Sequence, residues 1–261
     1  MTLRYETSNW YQTPLYYDII FEEDTRREGA FIEAMQERYS DGGGRRILEP
    51  ACGSGRLLAE MARRGYQVTG FDKSGHMLEF ARARLEQEGL EAELLVRRLE
   101  RFRMRRSYDV ALCLVSTFKY LLEEQSAHSH LKSVARALKP GGIYVLGFHL
   151  SQYGDRTRHR ERWVGRRNGT QVICNIQSWP PRRRARLERV RTRLIVEENG
   201  GRRGLETHWW FRTYNAGQFR KLLRKVPELE LVATYDFAYD QKRSRPFNDD
   251  QLDNVLILRR R

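Results

Sequence analysis

Two rhythms of apolar and polar residues divide this chain. Up to residue 150, helix-like and strand-like patterns take turns. Phe31, Ile32, Met35 and Tyr39 fall near one helical face, predicting a helix over Glu28–Tyr39 that Asp41-Gly-Gly-Gly44 ends. Ile47 and Leu48 open a strand, Arg56–Arg64 reads as a helix, and Tyr66–Asp72 as a second strand. Ser74 is placed to cap a helix running to about Glu88. Glu93–Val96 gives a third strand. The almost continuous apolar run Ser107–Phe118 gives a fourth, as expected in a parallel sheet. Glu123–Leu138 is amphipathic, Lys139-Pro-Gly-Gly142 turns the chain, and Ile143–His149 is the fifth strand.

Residues 151–213 change rhythm. Asn168-Gly169 and Asn199-Gly-Gly201 are hairpin signals, with strands expected over Thr170–Trp179, Leu187–Val196 and Leu205–Thr213. The first rhythm then returns, with a helix over Ala216–Lys225 and strands over Leu229–Asp236 and Asn254–Leu258. The expected fold is α/β: a seven-stranded sheet with helices on both faces, built from residues 1–150 and 214–261. Residues 151–213 form an inserted antiparallel β subdomain, a lid or substrate-covering unit.

Charge sharpens the contrast. The net charge is +14, mostly arginine, and between Asp155 and Arg193 thirteen arginines face three acids. Alternation puts Arg189, Arg191 and Arg193 on one strand face, and Glu206, His208, Trp210 and Arg212 on one face of another. Such a surface fits RNA, an acidic partner or an anionic substrate, or it is simply solvated. The three cysteines have neither metal-ligand spacing nor a disulfide pattern, so no metal is expected. The first twelve residues lack a signal-peptide core, and apolar runs such as Val110–Val115 are too short to span a bilayer, so an intracellular, cytoplasmic protein is expected.

The chemistry concentrates at Arg46-Ile-Leu-Glu-Pro-Ala-Cys-Gly-Ser-Gly-Arg56. A strand ending in Glu49, a turn through Gly53 and Gly55, and a helix make the opening of a nucleotide-binding unit. A dinucleotide loop would carry a third glycine where Leu58 stands. Glu49 would face a pyrophosphate there, whereas it suits a ligand with a cationic part, as S-adenosylmethionine has. Asp72 ends the next strand, about 20 residues past the glycines, placed for ribose hydroxyls. With this acid-loop-acid arrangement the chain resembles the class I S-adenosylmethionine-dependent methyltransferases, from about Tyr16 to Leu150 and again from near Tyr214.

The resemblance implies a Rossmann-like sheet whose last two strands are antiparallel, and S-adenosylmethionine as cofactor. It implies cofactor contacts from Glu49, Ala51, Gly53, Gly55 and Asp72, from Lys73 and Met77 beside the adenine, and from Leu99, Val115 and Ser116. Tyr11 and Tyr17 are implied lid residues from the N-terminal helix. Arg98 stands where these enzymes commonly carry an acid for the adenine amine. It stacks on the adenine, or Glu100 takes over, or backbone and Leu99 hold the base.

For a general base, His149 at a strand end comes first, then His208 or Glu206, then Tyr11 or Tyr17. No Asp/Asn-Pro-Pro-Tyr/Phe motif follows the fourth strand and no cysteine follows a proline there, which argues against base methylation in nucleic acids. The favoured reading is transfer of a methyl group to an N or O atom of a small molecule. The alternatives are an RNA or protein methyltransferase docking through the arginine-rich insert, and a non-catalytic binding protein on the same fold.

Overall fold

The computed structural model describes residues 3–261. The chain begins with strand β1 (Tyr5–Thr7), a 3-10 turn (Trp10–Gln12), and helices α1 (Pro14–Phe21) and α2 (Thr25–Tyr39). An alternating stretch follows: β2 (Arg46–Pro50), α3 (Arg56–Arg63), β3 (Gln67–Asp72), α4 (Gly75–Gln87), β4 (Ala92–Val96), β5 (Tyr108–Cys113), α5 (Glu124–Ala137) and β6 (Leu138–His149). Four strands come next, β7 (Arg160–Arg167), β8 (Thr170–Ser178), β9 (Leu187–Glu198) and β10 (Gly201–Arg212). Helix α6 (Ala216–Leu223), β11 (Leu229–Tyr235) and β12 (Asp253–Arg260) complete the chain.

The main sheet has seven strands in the order β11-β12-β6-β5-β2-β3-β4. Strands β2 to β6 pair in parallel, and β12 is antiparallel to both β6 and β11. The last two strands are therefore antiparallel to each other, as expected, with β12 alone reversed against the rest of the sheet. Pleating sends alternate residues to opposite faces. Leu48, Ala111, Tyr144 and Leu146 pack under α5 and α6, while Ile47, Val110, Leu112 and Val145 pack under α2, α3 and α4. Burying each such aliphatic side chain contributes about 1.5–3 kcal/mol. Strand order reverses beside β2, so the carboxyl ends of β2 and β5 flank the crevice where open α/β sheets bind ligands.

The second sheet has five strands, β1-β10-β9-β8-β7. Two of them escaped the sequence pattern. β7 is an edge strand of mostly exposed charged residues, and β1 is three residues long and joins β10 in parallel at Gly204–Glu206. One face of this sheet is closed by α1, with Trp10, Tyr16 and Ile19 packed on Val172, Cys174 and Leu194. Gly165 lets β7 run against α1, since a Cβ there would stand 2.4 Å from the Ile19 carbonyl oxygen.

The run Ser107–Phe118 is not one strand. It leaves the sheet after Cys113, Val115 and Ser116 take left-handed backbone angles, and Thr117–Tyr120 forms a 3-10 turn. Apolar content predicted burial correctly but not extension, because a short buried run looks the same in either state.

Candidate functional site

The carboxyl ends of β2, β3, β5 and β6 bring together most of the residues singled out above. After β2 the chain coils through Ala51 (φ 56°), Gly53 (φ 54°) and Gly55 (φ 71°). Gly53 has room, its nearest neighbour being Tyr17 Cε1 at 3.8 Å from a built Cβ. Gly55 has none, because a Cβ would lie 2.7 Å from that of Ala81. Asp72 fastens the loop. Its Oδ2 accepts from the Gly53 N–H at 3.1 Å and its Oδ1 from the Ser74 N–H at 2.8 Å. Burial raises the Asp72 carboxyl while these N–H groups oppose the rise.

Glu49 is 8% exposed, and its Oε2 has no hydrogen-bond partner. Burial pushes its carboxyl up to about 8, against the charge of Arg56 and with help from Glu28 and Asp72. The Ser54 hydroxyl in the same loop is also buried without a partner. Polar atoms buried in this way are costly unless a ligand or water completes them. Arg56, the first residue of α3, is held inside by Glu28 and by Thr25 Oγ1 at 3.0 Å, and Tyr239 donates to Glu28 Oε1 at 2.9 Å. This buried network sets the start of the helix against α2.

Tyr17 lies over the loop from α1, packed on Trp10 at 5.1 Å and Phe21 at 4.6 Å between ring centres. Tyr11 neighbours Tyr17, and its carbonyl accepts from Ser74 Oγ at 3.3 Å. Burial raises the phenols of Tyr11, Tyr17 and Tyr120, so all three stay protonated at neutral pH. Met77 is fully buried and Lys73 exposed; Ser74 caps α4 by accepting from the Met77 N–H at 3.4 Å, as its position predicted. Leu99 packs on the core, but the Arg98 side chain is 76% exposed and pairs with Glu100 at 2.8 Å.

A second cluster stands beside the loop. His149 at the end of β6 has Nδ1 2.9 Å from Ser116 Oγ and Nε2 against Lys119 Nζ. Lys119 is fully buried and donates to Glu188 Oε2 of β9 at 3.3 Å, with its ammonium 5.1 Å from the Phe211 ring centre. Burial brings Lys119 down to about 8 with Glu188 opposing the fall. Burial would raise Glu188, but Lys119 and His149 together outweigh it and bring the carboxyl down to about 2. Burial and then Lys119 lower His149. Lys119 and Glu188 were not legible as site residues, because they are far apart in the chain and neither has a motif.

His208 does not join this cluster. Side chains alternate along β10, so Trp209 and Phe211 share the face toward His149 while His208 lies on the other. There it bonds Glu206 at 2.8 Å and registers with Arg191. The arginines of that outer face are largely engaged. Arg189 stacks on Trp179 at 3.8 Å, Arg182 lies over Trp210 at 4.9 Å, and Arg193 pairs with Glu206 at 2.5 Å. A cavity of about 960 Å³ lies elsewhere, at the outer end of β3 and β4 around Gly65, Gln67 and Gly89, and contains none of the predicted site residues. Among the described residues there is no helix long and apolar enough to cross a membrane and no His/Cys/Asp/Glu group arranged for a metal.

Comparison with known proteins agrees with this geometry. Residues 47–142 match the family model described as a methyltransferase domain. The ubiquinone biosynthesis O-methyltransferase of Rickettsia canadensis is 24% identical over 56% of this chain and 65% of its own length. The chain spans about half the length of the first curated relatives it matches. Among solved structures, an S-adenosylmethionine-dependent methyltransferase of Clostridium acetobutylicum superposes with a TM-score of 0.75 at 18% identity, over 96% of this chain and 99% of that one. An amino pentose methyltransferase of Micromonospora echinaspora, solved with S-adenosylmethionine bound, gives 0.72 at 18% identity over 99% and 100%. At these identities the structural likeness establishes the fold. The match to a methyltransferase domain thus covers β2 to the start of β6, and the seven-stranded sheet has the fold of these solved methyltransferases.

Proposed function

We propose that this chain transfers the methyl group of S-adenosylmethionine to an N or O atom of a small-molecule acceptor. The observation that carries the reading is the buried, unpartnered Glu49 Oε2 beside the left-handed loop at Gly53 and Gly55. A buried carboxyl with an unpartnered oxygen, next to glycines and an uncapped helix start, fits a ligand that brings a cation and a carboxylate together. In this reading Glu49 faces the cationic amino-acid end, Ala51, Gly53 and Gly55 let the backbone approach, and Asp72 takes the ribose. Met77, Leu99 and Lys73 border the base, Val115 and Ser116 border the sulfur end, and Tyr17 covers it.

S-adenosylmethionine, when bound, supplies an electrophilic methyl carbon. The chain supplies alignment and dryness. Tyr11, Tyr17, Tyr120, Trp209 and Phe211 make an aromatic wall between α1, the 3-10 turn after β5 and the second sheet. That wall suits a sugar-sized acceptor, and the amino pentose handled by the Micromonospora neighbour is of this size. The second sheet is then a fixed cover, joined to the main sheet through Lys119 and Glu188.

Thermal unfolding with S-adenosylhomocysteine, beside NAD and ATP, tests the reading. At 100 times its dissociation constant the ligand should add about 2.7 kcal/mol of stability. The shift should come with S-adenosylhomocysteine alone and shrink in Asp72→Ala, which loses about 1–3 kcal/mol of charged hydrogen bonding. No shift in the unaltered chain overturns the assignment.

A further inference from the structure

Lys119 presents a problem that cofactor binding does not solve. A lysine with no solvent exposure is expensive, and here it sits at the join of the two sheets, against a histidine already bonded to a serine. The groups facing His149 are Lys119 from the 3-10 turn, Glu188 from β9, Asp253 at the start of β12, and the uncharged Ser116 and Phe211. Glu161 of β7 lies beyond, near Glu188 and Asp253.

The hydrogens can be assigned. Lys119 and Glu188 are a buried pair at 3.3 Å, and a buried carboxylate without a cation would be left uncompensated, so Lys119 is the ammonium. An ammonium has donors only, so the His149 Nε2 it touches must accept. Glu188 Oε2 is 3.7 Å from Nε2, too long for a hydrogen bond that would favour a proton there. The one imidazole hydrogen is then on Nδ1 and donates to Ser116 Oγ at 2.9 Å. The His149 backbone N–H also reaches Ser116 Oγ, at 3.4 Å. Both lone pairs of that hydroxyl are taken. Its own hydrogen is therefore free to donate outward from the left-handed turn at φ 58°.

We infer that Lys119, paired with Glu188, is a positioning residue that keeps His149 uncharged with its hydrogen on Nδ1, and thereby makes Ser116 a hydrogen-bond donor at the acceptor end of the site. The catalytic sequence candidate His149 is in this arrangement a support for Ser116, because both ring nitrogens are occupied. The acceptor that suits it offers Ser116 a lone pair that attack on the methyl does not use, as a hydroxyl or ether oxygen does; an amine nitrogen that must attack with its single lone pair, or an ammonium, does not. The naming of the acceptor end rests on the methyltransferase reading; the hydrogen assignment does not.

Imidazole 15N chemical shifts of the labelled full chain, followed with pH in the absence of cofactor, test the assignment. In the unaltered chain, His149 should show a protonated Nδ1 and a bare Nε2 at neutral pH and titrate below the usual histidine range. In Lys119→Met the titration should move upward by about one pH unit, since Glu188 and Asp253 remain. The paired variant Lys119→Met with Glu188→Leu removes both charges together, which buried pairs often tolerate, and should lose the fixed tautomer while still folding. Lys119→Arg should restore the Nδ1 tautomer. A hydrogen on Nε2 in the unaltered chain, or a tautomer and titration unmoved in the paired variant, overturns the inference. Because no cofactor or acceptor is present, failure of the methyltransferase reading would show separately, in the S-adenosylhomocysteine titration.

Discussion

Gly55 and Ala81 touch across the start of α3 and the middle of α4, so closely that a methyl group on Gly55 would stand 2.7 Å from the Ala81 Cβ. Gly53, two residues earlier, meets only Tyr17 at 3.8 Å. The two loop glycines are therefore not equivalent. Gly53→Ala should cost about 1–2 kcal/mol, the strain of a left-handed alanine. Gly55→Ala should cost distinctly more, adding an overpacking penalty of about 1–3 kcal/mol. Urea denaturation of both variants checks the order, and equal losses would refute it.

Glu49 predicts a pH signature. A carboxyl whose pKa is raised by folding binds its proton more tightly in the native state. Its influence is absent below the unfolded value of 4.5 and destabilises progressively as pH rises toward about 8. Glu49→Gln should raise apo stability at pH 8 by about 1–3 kcal/mol and leave it nearly unchanged at pH 4. The same variant should bind S-adenosylmethionine more weakly. Calorimetry at pH 7 in buffers of different ionisation heat should show a proton released when the unaltered chain binds the cofactor, and identical heats would count against the role of Glu49.

The Arg56–Glu28 pair is buried on both sides, with 8% and 3% of the side chains exposed. Glu28→Ala strands the guanidinium and should cost about 3–5 kcal/mol, whereas Glu28→Leu with Arg56→Met together should cost much less. The double-mutant cycle of unfolding free energies measures the difference.

His208 and His149 lie to opposite sides of β10, so their substitutions should separate. His208→Ala should change stability by less than about 0.5 kcal/mol, as an exposed surface substitution does, and leave the S-adenosylhomocysteine shift intact. A lost shift in that variant would return the outer face to the site.

The main sheet was legible because its central strands are buried on both faces, so burial and secondary structure wrote the same pattern. Glu49, Gly53, Gly55 and Asp72 were legible for the same reason: a strand end, a turn and a helix start are local events. Lys119 was not. It falls just past the run Ser107–Phe118 that reads as a strand, and its buried partner Glu188 arrives from a strand 69 residues later. Strand β7 was missed because an edge strand can be charged throughout, and β1 because its partner lies about 200 residues away. His208 lies on the face of β10 away from His149, because alternation groups residues by face without telling which face looks inward.

The pairing of β1 with β10 also fixes an order of events during synthesis. Tyr5–Thr7 leave the ribosome about 200 residues ahead of their partners Gly204–Glu206. The main sheet's parallel strands can associate meanwhile, since β2 to β6 are all present by residue 149. The leading segment waits for the second sheet, and α1 with its tyrosines waits with it, because its packing surface on β7 to β10 does not yet exist. A nascent chain halted before residue 200 should therefore present an ordered glycine loop without its aromatic cover, and the cover should close only as the last hairpin forms.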